Sequence, residues 1–112
     1  MGNRANIIIL SGDEQVCLYT HWGREDLPHT LRNALIRGRE RWGDYQYLTR
    51  IIFCEMIPPN ARLTLTGYGI TQEVHDGRDS VISALVDSQE VIIGDRPPMS
   101  FSDYIASSVG WE

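Results

Sequence analysis

The run Tyr19-Thr20-His21-Trp22-Gly23-Arg24 sets a phenol, an imidazole, an indole and a guanidinium where a strand-like pattern stops and a helical one starts. Such a junction displays polar side chains beside the free amides of a helix start. Trp22 has the face to stack a base, and Arg24 the fork to pair a phosphate. The plainer alternative is that Trp22 covers the end of the core and His21 bonds to backbone. A second cluster, Arg37-Gly38-Arg39-Glu40-Arg41-Trp42 followed by Tyr45, Tyr47 and Arg50, interleaves guanidinium groups with aromatic rings. That composition suits stacking and anion contact. It equally suits a solvated helix face with Glu40 in local pairs. The third candidate is Glu55, which shares a helical face with Leu48, Ile51 and Ile52. A carboxylate on an apolar face must be paired, neutralised or used. Its partner could be a hydroxyl (Thr20 or Tyr68), an arginine, or His21, the last giving a general acid/base pair.

Other chemistries find little support. Cys17 and His21 fall on one strand face, and His29 and His75 lie elsewhere, but no CxxC, HxxxH or HExxH spacing exists. No metal and no cofactor is therefore expected. There is no nucleophile elbow, and Gly67-x-Gly69 alone does not make a phosphate cradle.

The elements that must position these groups can be read from periodicity. Asn6 to Leu10 is a continuous apolar run, a buried strand; Ser11 to Glu14 is a turn; Gln15 to His21 alternates as a second strand. Asp26 is an N-cap candidate, with Pro28 in the first turn and Leu27, Leu31, Ala34 and Leu35 at helical spacing. Gly38 near that stripe permits close approach. Trp42-Gly43-Asp44 breaks this helix and caps a second, Tyr45 to Ile57, whose nearly all-round apolarity predicts a central buried helix. Pro58-Pro59-Asn60 ends it. Leu63 to Thr66 predicts a third strand that Gly67 to Ile70 continues or bends. Val81 to Val86 and Val91 to Ile93 form a second hairpin around Asp87-Ser88-Gln89, and Ser100 caps a short final helix. The order ββααβββα predicts an α+β domain spanning 1–112: a mostly antiparallel sheet of about five strands, two central helices and a short C-terminal helix.

With 112 residues and 42% hydrophobic content, one domain with a real core is expected. Cys17 and Cys54 are expected to be reduced, buried thiols. No apolar run is long enough for a membrane span, and Met1-Gly2-Asn3-Arg4 leads into a strand-like segment, not a signal peptide. A cytoplasmic protein is the expectation. All ten basic residues are arginine. Between Arg32 and Arg50, five arginines face two acids; from residue 51 onward three arginines face nine acids. The net charge of −5 argues against binding duplex nucleic acid, while leaving room for a small anionic ligand at the arginine cluster or a basic surface on a protein partner.

Leu18-Tyr19-Thr20-His21-Trp22-Gly23, Arg41-Trp42-Gly43-Asp44, Tyr47 to Phe53 and Thr66-Gly67-Tyr68-Gly69-Ile70, with the closing Ser100-Phe101 helix, resemble a group of small uncharacterised proteins of bacteria and bacteriophages. The resemblance spans nearly the whole chain and carries over no catalytic residue. It implies a bacterial host cell and a phage or mobile-element setting, in which small proteins often antagonise host defence. The expectation is a non-enzymatic binding protein, homo-oligomeric, that sequesters a nucleotide or masks a protein partner. Its contact residues would be Tyr19, His21, Trp22, Arg24, Arg39, Arg41, Trp42, Tyr47, Arg50 and Tyr68. The alternatives are a small hydrolase or transferase using Glu55 and His21, and a structural or assembly component.

Overall fold

In a computed structural model, which describes residues 3–59 and 67–111, the opening apolar run forms β1 (Ala5–Ser11). It turns at Gly12, whose φ of 58° suits a tight hairpin, into the antiparallel β2 (Glu14–Thr20). A 3₁₀ turn over Arg24–Asp26 then feeds α1 (Leu27–Arg37). The expected Asp26 cap is not made: Asp26 is helical and its carboxylate accepts no capping bond. The turn is set instead by Thr20, whose Oγ1 accepts from the Gly23 N–H at 2.9 Å. Gly38 ends α1 with the close approach its position foretold, since a Cβ there would sit 3.2 Å from both the Ala34 carbonyl and Ile51.

Asp44 caps α2 (Tyr45–Met56), its side chain accepting from the Tyr47 N–H. The helix is not buried all round. It lies on one face of the sheet beside α1, so only Leu48, Ile52 and Met56, four residues apart, point fully inward. Tyr47, Arg50 and Cys54 face out. The predicted strand over Leu63 to Thr66 lies outside the described residues; β3 is Tyr68–Thr71. The second hairpin follows as β4 (Val81–Leu85) and β5 (Glu90–Ile93). A two-residue β6 (Met99–Ser100) precedes α3 (Phe101–Ala106), where Ser100 Oγ accepts from the Asp103 N–H.

The domain is α+β. Its sheet order is β3-β2-β1-β4-β5-β6, antiparallel except for the central β1–β4 pair. That parallel pair is possible because α1, α2 and β3 intervene to carry the chain back across the sheet. The register sets Ile7 against Leu18 and Ile82, and Ile82 against Ile93; with Ala5, Ile9 and Ala84 these fill the core under the helices. The opposite pleat presents Asn6, Ile8, Cys17 and Tyr19 on the face the helices leave free. No helix among the described residues is long and apolar enough to cross a membrane.

Candidate functional site

The Tyr19–Arg24 junction separates into two parts. His21 is held by backbone and side chain: its N–H donates to the Gly67 carbonyl at 2.7 Å, and its Nδ1 shares a 3.0 Å hydrogen bond with the Tyr19 hydroxyl. Trp22 stands edge-on to the His21 ring, centroids 4.9 Å apart, and lies against Gly67. It does not cover the core, for it is 61% exposed, as is Ile70 on the adjoining β3. Tyr68 is half-buried at the start of β3, opposite Thr20.

Arg24 belongs to a different structure. Its Nε donates to Ser80 Oγ at 2.6 Å and its Nη1 pairs with Glu25 at 2.7 Å. Its guanidinium lies 4.7 Å from the centroid of Trp111, whose indole N–H in turn donates to the Arg24 carbonyl. The fork expected to meet a phosphate is thus spent inside the protein, tying the start of α1 to the segments before β4 and after α3.

The arginine–aromatic cluster divides likewise. Trp42 is structural, its N–H donating to the Leu35 carbonyl and its ring edge-on to Phe101 at 5.4 Å. Tyr47 is 48% exposed and faces two guanidinium groups, Arg41 at 4.3 Å and Arg50 at 5.8 Å from the ring centroid. Arg41 also reaches Asp44, whereas Arg50 has no carboxylate partner among the described residues. Arg39 is exposed and borders a separate groove beside Ile36 and Trp42.

Glu55 has an arginine for a partner: Arg37 Nε lies 2.9 Å from its Oε1. With Arg37, Arg50 and Cys54 it lines an open groove of about 500 Å³ on the helical side. His21 is engaged by Tyr19 at the end of β2, and no hydrogen bond joins it to Glu55 among the described residues. The acid/base pair is therefore not assembled, because each group is held by another partner.

Comparison with family models, with curated proteins and with solved structures finds no match.

Two features escaped the reading of motifs. Asn6, inside the apolar run, is buried and donates from Nδ2 to the Asp76 carbonyl at 2.7 Å and to that of Gly77 at 3.3 Å. Its Oδ1 accepts from the Cys17 thiol at 3.1 Å, and burial pushes that thiol's pKa up to about 11. Cys17 is a buried free thiol, as expected; Cys54 is free but exposed, on the outer side of α2. The second feature is the Trp111 stack on Arg24. A lone amide in a β-rich apolar run was the available signal for the first; nothing local signalled the second.

Proposed function

We propose that this protein is a non-enzymatic binding module whose partner is another protein. Exposed Trp22, fixed against His21 and Gly67 beside an apolar edge strand, supports this reading. Tryptophan at a rigid, partly desolvated position is a frequent anchor of protein interfaces. The commitment of Arg24 within the fold turns this junction away from phosphate recognition. Among the described strands β3 is an edge, and it carries neither charge nor proline to discourage pairing with another strand. A second copy of the chain is one partner this edge would serve. The sequence resemblance supplies the setting: a phage or mobile-element protein in a bacterial host, masking a surface of a defence protein.

The test is affinity capture from host lysate with wild type and Trp22→Ala, both verified as folded by circular dichroism. A specific partner retained by wild type and lost by Trp22→Ala is expected. Retention by both would remove Trp22 from the interface. Light scattering on the pure protein reads out self-association.

One observation favours a second reading. Tyr47 between Arg41 and Arg50 offers a stacking ring and two forks to a small anion such as a nucleotide. A thermal-shift screen with nucleotides decides it. A ligand at 100 times its dissociation constant adds about 2.7 kcal/mol, several degrees for a domain of this size. A shift abolished by Arg50→Ala would establish that reading, and no shift with any nucleotide would end it.

A further inference from the structure

On the helix-free face of the sheet, Tyr19 stands directly opposite Gly69 of β3. Among the described residues, no atom beyond its own chain neighbours lies within 4 Å of the position a Cβ on Gly69 would take. The phenol ring therefore borders empty space where a cross-strand neighbour would normally pack. The segment pinned by Asn6 closes the far side with His75 and Asp76. The result is an open-topped cleft of about 180 Å³, with Ile70 and Thr71 completing its wall.

Most polar groups around this cleft are already engaged. The Asn6 amide is satisfied by the Asp76 and Gly77 carbonyls and by the Cys17 thiol. The Tyr19 hydroxyl is turned to His21. What remains is a trough walled by the Tyr19 ring and Thr71, with exposed Asp76 and His75 at its rim. Among the described residues no arginine lines it, and along its closing segment Glu73, Asp76 and Asp79 outnumber Arg78. An anion meets no arginine among the described residues of this lining. A neutral ring would crowd the carboxylate without pairing it. An aliphatic stem ending in a cation satisfies both trough and rim: methylenes along the Tyr19 ring and Thr71, which share the helix-free pleat, the charged head at Asp76.

We infer that this cleft receives a basic side chain, arginine in particular, from a protein partner. The inference rests on the partner-binding reading and deepens it. Trp22 packs on Gly67, just before β3, and Gly69 to Thr71 form the cleft, so one short segment carries both contacts.

The probe is N-acetyl-arginine amide, titrated into the ¹⁵N-labelled protein, with N-acetyl-glutamine amide as the neutral control. Saturable amide shifts confined to 69–71 and 74–77 are expected for the arginine compound alone. Asp76→Asn, an exposed change, should weaken binding about tenfold or more. Gly69→Leu should abolish it by filling the cleft, and it enters open space, so the fold should persist. If Gly69→Leu does not fold, Asp76→Asn alone decides. Equal shifts with the neutral compound, no saturable shift, or binding unchanged in Asp76→Asn would each overturn the inference. Trp22→Ala should still bind the probe. A cleft that fails while Trp22-dependent capture persists refutes the arginine pocket and leaves the partner reading standing.

Discussion

A single amide does more for the helix-free face than any of the residues whose chemistry first drew notice. Asn6 holds the segment before β4 by two carbonyls and keeps the Cys17 thiol satisfied. Asn6→Leu should cost about 1–3 kcal/mol, since buried partners lose their bonds, and should speed amide exchange in 74–79; an unchanged melting temperature would contradict this role. Cys17 titrates in a definite direction. Its folded pKa is raised from 9.0 to about 11 by burial, so the folded state holds the proton more tightly. That contribution is complete below pH 9 and is lost as pH rises to about 11, at a slope of up to about 1.4 kcal/mol per unit. Stability measured across this window should fall less steeply in Cys17→Ala than in wild type. Arg24 behaves as structure: Arg24→Ala should destabilise the fold. In a double-mutant cycle with Trp111→Leu the coupling should be about 0.5–2 kcal/mol. The sequence marked Trp22 and Arg24 by type and crowding. It could not separate them, because the stack that occupies Arg24 comes from Trp111, far along the chain.

At the scale of elements, Gly67 decides how Trp22 is displayed. Its φ is 79°, and a Cβ there would meet the indole ring. Gly67→Ala should therefore displace Trp22 and cost about 1 kcal/mol or more. The measurement is tryptophan fluorescence with a thermal melt; an emission spectrum identical to wild type would show that the ring had not moved. Periodicity located both hairpins, α1, α2 and the Ser100 cap, because local pattern and turn chemistry agree there. It overstated the burial of α2, since apolar side chains such as Ile51 and Phe53 serve as the flanks of a half-covered helix. It placed Asp26 correctly before α1 but gave it a capping bond that is not made, because the preceding 3₁₀ turn holds Asp26 in helical conformation.

At the scale of the whole molecule, and among the described residues, helices occupy one face of the sheet and leave the other to side chains and one crossing segment. The acidic second half of the chain supplies that segment, whereas the arginine-rich stretch lies on the helical side. The central β1–β4 pair has a kinetic consequence. Asn6 must find Val81, the most distant pairing in the sheet, while both hairpins close locally. Refolding should be limited by that encounter: a destabilising change at the β1–β4 seam, such as Ile82→Val, should slow folding, while one at Ile70 should leave the folding rate unchanged. During synthesis, the inner edge of β1 stays without its partner until β4 has emerged. Until then, the strand at the centre of the finished sheet is an open edge for a chaperone to shield.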